Sequence, residues 1–112
     1  MTFPIPPGTR DVLPDEMREL HAVMDSLRAA LERAGYGEVR TPTVEYEEVL
    51  RQGDESAAGA GWRLFDGDGR LLVLRSDMTI PIARLVGTRF GDHDGPLRFS
   101  YSGPAYRSVK KV

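Results

Sequence analysis

Between residues 14 and 35, the apolar positions Met17, Leu20, Met24, Leu27, Leu31 and Ala34 recur at alternating spacings of three and four. This predicts an amphipathic helix with one apolar stripe, a surface for a sheet or for a partner. Asp15 and Glu16 suit its positive end, and Gly35 and Gly37 supply stops at the other. Ahead of it, Pro4, Pro6, Pro7, Gly8 and Pro14 predict an extended arm over residues 1–13. Gly37-Glu38-Val39-Arg40-Thr41 reads as a short strand closed by Pro42. Thr43 is then expected to cap a short helix from Val44 to Arg51, with Glu45, Glu47 and Glu48 on a solvated face. The Gly-, Ala- and Ser-rich residues 52–61 predict a mobile loop. Two β-rich runs, Trp62-Arg63-Leu64-Phe65 and Arg70-Leu71-Leu72-Val73-Leu74, flank Asp66-Gly67-Asp68-Gly69, which is a hairpin signal over residues 62–74. Leu97-Arg98-Phe99-Ser100-Tyr101-Ser102 alternates apolar and polar, and Gly103-Pro104 interrupts a strand that residues 105–109 can resume.

The centre of the pattern is the stretch from Leu74 to Leu85. The apolar run before it suits a strand covered on both faces. Ser76, Asp77 and Thr79 are helix-capping residue types, Pro81 fits a first helical turn, and Ile82, Leu85 and Val86 continue at helical spacing. A strand–turn–helix junction of this kind presents Arg75, Asp77 and Thr79 beside a helix N-terminus, where ligands often bind. The same residues also satisfy an ordinary capped helix, in which Asp77 and Thr79 only occupy free N–H groups.

Composition narrows the picture. The chain has 112 residues, 40% hydrophobic and 29% charged, with a formal net charge of -2, which fits one small domain and gives no global basic excess for wrapping nucleic acid. No cysteine is present, so disulfides and thiolate zinc sites are excluded. His21 and His93 show no metal-ligand spacing and read as surface or half-buried residues. Asp66-Gly67-Asp68-Gly69 lacks the later ligands of a calcium loop and reads as a turn. No apolar run is long enough to span a bilayer and no signal peptide is visible, so a soluble, cytoplasmic protein is expected.

Four stretches, in this order, resemble the class II histidyl-tRNA synthetase family. Pro7-Gly8-Thr9-Arg10-Asp11-Val12-Leu13-Pro14 is similar to its opening segment. Gly35-Tyr36-Gly37-Glu38-Val39-Arg40-Thr41-Pro42 is similar to the end of its motif 1, which closes on a proline at a dimer interface. Leu74 to Leu85 is similar to the segment carrying the amino-acid-binding Glu-Gly-Thr, and Leu97 to Arg107 to the first strand of motif 2. The resemblance implies an α+β fold, a truncated class II synthetase-like antiparallel sheet with flanking helices. It implies that the sheet joins the 62–74 hairpin to the 97–109 strand, with an edge and an apolar face left exposed. Members of the family are much longer, so residues 1–112 are expected to be one partial core domain, an N-terminal part or a natural short form.

The departures from the family pattern bear on function. Asp77-Met78-Thr79 stands where a synthetase has Glu-Gly-Thr, which puts a bulky side chain on the floor of the amino-acid pocket. Arg107 stands in place of the arginine that grips the ATP α-phosphate, but Arg107-Ser108-Val109 lacks the acidic residue expected two places on. Leu-Arg-Ser-Asp-Met-Thr-Ile-Pro-Ile-Ala-Arg is similar instead to the regulatory subunit of ATP phosphoribosyltransferase, a synthetase paralogue in histidine biosynthesis. That resemblance implies a non-catalytic chain with no catalytic residue, metal or cofactor. Arg75, Asp77, Thr79 and Arg107 are its candidate amino-acid or phosphate contacts. The implied partners are the catalytic ATP phosphoribosyltransferase subunit and further copies of the chain, with histidine or ATP bound weakly and tRNA not expected. A truncated histidine–tRNA ligase core and a ligand-free dimerisation module are the alternatives.

Overall fold

The computed structural model describes residues 1–54 and 61–107. The described elements are α1 (Pro14–Arg33), β1 (Gly37–Glu38), β2 (Val44–Tyr46), α2 (Glu47–Gly53), β3 (Arg63–Phe65), β4 (Leu71–Leu74), α3 (Thr79–Arg89) and β5 (Phe99–Ser100). They build two separate sheets, a three-stranded one in the order β2–β4–β3 and a two-stranded one of β1 with β5.

The larger sheet is antiparallel, with Glu45 and Arg63 both opposite Val73, and Tyr46 and Leu64 both opposite Leu72. Side chains alternate across a strand, so Glu45, Val73 and Arg63 share one face. Helices α2 and α3 cover that face, and Leu50, Val73 and Ile80 form its core. Met78 and Pro81 are buried at the start of α3. Gly53 ends α2 close against α3, where a Cβ would fall 2.8 Å from Ile80 Cγ1. The hairpin turns at Asp66, whose Oδ1 accepts from the amides of Asp68 and Arg70, both at 2.9 Å, while Gly69 takes the left-handed conformation with φ 82°.

Helix α1 is placed differently. Its C-terminus closes in a Schellman arrangement: Gly35 sits at φ 87°, its amide donates to Glu32 O, and the Tyr36 amide donates to Leu31 O. Arg28 Nε then reaches Glu38 Oε2 at 2.6 Å and ties the helix to β1. At the other end, Arg10 makes a two-pronged ion pair with Glu16, at 2.7 and 2.6 Å. Those hydrogen bonds hold the Glu16 carboxyl below its ordinary range and raise the Arg10 guanidinium. Yet no residue of α1 is buried. The radius of gyration is 17.0 Å, where a compact domain of this length has about 13 Å.

The structure corrects several expectations. Val44–Tyr46 is a strand, not the start of a helix, because pairing with β4 outweighs the local helical pattern in a segment holding a β-branched and an aromatic residue. Glu45 and Glu47 are consequently buried rather than solvated; Glu48 is exposed and pairs with Arg70. Strand β4, expected to be covered on both faces, is fully buried only at Val73, under α2 and α3, while Leu71, Leu72 and Leu74 are half-buried. Among the described residues of the expected 97–109 strand, only Phe99–Ser100 is regular, and it pairs in parallel with β1 instead of joining the hairpin. The α1 stripe does not cover a sheet: Leu20 and Leu27 stay 39% and 61% exposed. Most of the 52–61 loop and the last expected strand residues, Ser108 and Val109, lie outside the described residues.

Candidate functional site

The strand–turn–helix junction after β4 gathers three of the four candidate residues, but at different depths. Asp77 and Thr79 are exposed. Asp77 Oδ1 accepts from the Thr79 amide at 2.9 Å, which satisfies one of the free N–H groups at the start of α3. Met78 points inward at 5% exposure, with its sulfur 3.8 Å from the Thr41 hydroxyl. The thioether thus fills the space directly beneath the turn.

Arg75 is 4% exposed. Its Nε donates to Pro104 O at 3.0 Å, and its Nη1 donates to Thr41 O at 2.9 Å and Pro42 O at 3.3 Å. Its own backbone adds two bonds, from the Arg75 amide to Thr43 O at 3.0 Å and from the Tyr106 amide to Arg75 O at 2.8 Å. A buried guanidinium needs its donors satisfied, and three carbonyls supply this without a carboxylate. Arg107 is exposed, and its carbonyl accepts from the Trp62 indole at 2.9 Å. The junction therefore brings Arg107 near through the backbone of Tyr106, while Arg75 lies below the surface that carries Asp77 and Thr79.

Sequence reasoning missed a second polar cluster. Arg84 Nε on α3 lies 2.5 Å from Glu45 Oε1, and Glu47 stands between Arg51 Nε at 2.5 Å and Arg63 Nε at 3.7 Å. Glu45 lines a cleft of about 460 Å³ with Tyr46, Val49, Asp66, Leu72 and Arg84. No local signal announced this: period-two alternation in Val44-Glu45-Tyr46 would put Glu45 on the solvent face of a strand, whereas its cation Arg84 comes from α3. A second, largely apolar groove of about 360 Å³ runs between α1 and β5, lined by Met24, Leu27, Leu31 and Tyr101.

The long helix, its following strand in parallel with β5, and the antiparallel hairpin sheet are the arrangement of the class II synthetase-like fold. A crystal structure described as an ATP phosphoribosyltransferase regulatory subunit/histidyl-tRNA synthetase from Bacillus halodurans superposes with a TM-score of 0.87 at 35% identity, over 98% of this chain and 29% of that one. The histidyl-tRNA synthetase family model matches residues 8–112, and the chain belongs to that family. Among curated relatives, the ATP phosphoribosyltransferase regulatory subunit of Symbiobacterium thermophilum is 46% identical over 113 residues, covering 92% of this chain and 26% of that protein. The protein of the same name from Bacillus mycoides is 43% identical over 111 residues, covering 96% and 25%. The chain thus spans about a quarter of the length of the curated relatives it matches. Among the described residues, no helix is long and apolar enough to cross a membrane.

Proposed function

We propose that the chain serves as part of a non-catalytic regulatory subunit that associates with a catalytic ATP phosphoribosyltransferase in histidine biosynthesis. The observation that carries this reading is Met78. In the position where the synthetase pattern has glycine, a thioether is buried beneath the turn, and the adjoining Asp77 carboxylate is engaged by the Thr79 amide. A pocket floor filled in this way leaves little room for an amino acid, and Asp77 is one methylene shorter than the synthetase glutamate. Asp77, Thr79 and Arg107 remain the candidate contacts for a weakly bound histidine or ATP, the carboxylate for an amino group and the arginine for phosphate. The 40–46% identity to chains carrying the regulatory-subunit name supports the same reading. Self-association belongs to the proposal, with the exposed α1 stripe as its surface and a two-fold dimer as the simplest closed arrangement.

The test has two arms. The purified chain is expected to give no histidine-dependent ATP–pyrophosphate exchange, and to co-sediment with a short-form catalytic ATP phosphoribosyltransferase. Exchange activity that disappears in Arg107→Ala would refute the regulatory reading in favour of a ligase core. Inactivity together with failure to bind the catalytic subunit would leave the dimerisation module as the better account.

A further inference from the structure

Residues 101–107 carry no regular secondary structure, so their backbone needs partners from elsewhere. Three bonds supply them at defined points. Arg75 Nε donates to Pro104 O, the Tyr106 amide donates to Arg75 O, and the Trp62 indole donates to Arg107 O. The other donor end of the Arg75 guanidinium holds Thr41 O and Pro42 O. One side chain therefore bridges the segment leaving β1 and the segment leaving β5, at the place where the two sheets meet. Trp62 is itself fixed, since its carbonyl accepts from the Leu74 amide at 2.9 Å.

We propose that Arg75 is a positioning residue rather than a ligand contact: with Trp62 it forms a two-point latch that seats residues 103–107, and hence Arg107, against the hairpin sheet. The fork geometry of arginine suits the task, because Nε and Nη1 address carbonyls on two different segments at once. A lysine ammonium is a single point on a flexible stem and cannot reproduce that planar span. Gly103 has its own place in the latch, as a Cβ there would lie 3.0 Å from Arg75 Nη2. The latch stands on the hydrogen bonds alone, independently of whether Asp77, Thr79 and Arg107 meet a ligand.

Trp62 is the chain's single tryptophan, so its emission reports directly on the latch. In Arg75→Met, the emission is expected to shift, and amide exchange at Tyr106 to accelerate by about tenfold or more, the loss of one or two net hydrogen bonds. Amides of α2 and β4 should keep their protection. Arg75→Lys is expected not to restore the native emission, and Gly103→Ala to accelerate Tyr106 exchange more mildly. A folded Arg75→Met with native Trp62 emission and native Tyr106 exchange would overturn the proposal. If Arg75→Met fails to fold, Gly103→Ala decides: unchanged exchange at Tyr106 in that variant would overturn it as well. A latch that behaves as expected, with no phosphate binding at Arg107, would count against the candidate contacts and not against the latch.

Discussion

Val73 and Leu27 are both apolar residues in regular elements, yet Val73 is 1% exposed and Leu27 61%. Val73 lies on β4 beneath α2 and α3, within a sheet of antiparallel neighbours. Leu27 lies on a helix of 20 residues that buries none of them. The hairpin sheet and its two short helices form a small closed core. The α1–β1–β5 part has strong local structure and an open apolar face. The difference teaches that helix α1 is specified locally, by its spacing, its acidic first turn and its Gly35 stop, while its packing energy is still to be gained. A 20-residue helix gains most of its stability from an amphipathic face packed against something. A large apolar patch left uncovered marks an interaction surface.

Substitutions can break or sharpen that contrast. The largest effect is expected in the closed core: Leu50→Ala should cost about 3–4 kcal/mol by removing buried methyls and leaving a cavity, whereas Leu27→Ala should stay within about 0.5 kcal/mol at dilutions where the chain is monomeric. Chemical denaturation of both variants checks the pair, and equal losses would erase the distinction between the two regions. Next comes Arg84→Met. It leaves the Glu45 carboxylate buried with no cation, and should cost about 2–3 kcal/mol, below the full penalty for breaking a buried pair because Arg84 keeps partial access to water. A double variant with Glu45→Leu should recover much of that loss, and its thermal melt would show whether the pair is a matched unit.

A smaller effect is expected at the turn. Asp77→Ala removes the acceptor of the Thr79 amide and should cost about 1 kcal/mol, the net value of one hydrogen bond. The same variant sharpens the functional reading when followed by calorimetry with histidine. Tight binding that survives Asp77→Ala would remove Asp77 from the candidate contacts.

These contrasts also explain what the sequence made legible. Helix α1 and the hairpin turn at Asp66 follow from local rules, a 3.6-residue stripe and an Asp-Gly signal, and both were readable without a structure. The turn at Asp77 was readable in part, since its carboxylate acts as the capping alternative describes. Strand β2 was not, because Val44-Glu45-Tyr46 becomes a strand through pairing with Leu72, Val73 and Leu74, residues far along the chain. The burial of Glu45 was hidden for the same reason, its cation Arg84 being supplied by α3. Arg75 was the hardest to place: its partners are backbone carbonyls 34 and 29 residues away, and no side-chain pattern announces a carbonyl. The departure from the synthetase pattern at Met78 was visible in the letters, but its burial under the turn depends on the packing of Thr41 against it.

The open α1 face is the proposed interface, through which association would become part of what this chain does. Sedimentation velocity at micromolar concentration tests it most directly, on the native chain beside Leu27→Glu. The account predicts a species heavier than a monomer for the native chain, and a monomer of unchanged helix content for Leu27→Glu. A native chain that sediments as one monomeric species, with full helix content and a cooperative melt, would contradict it.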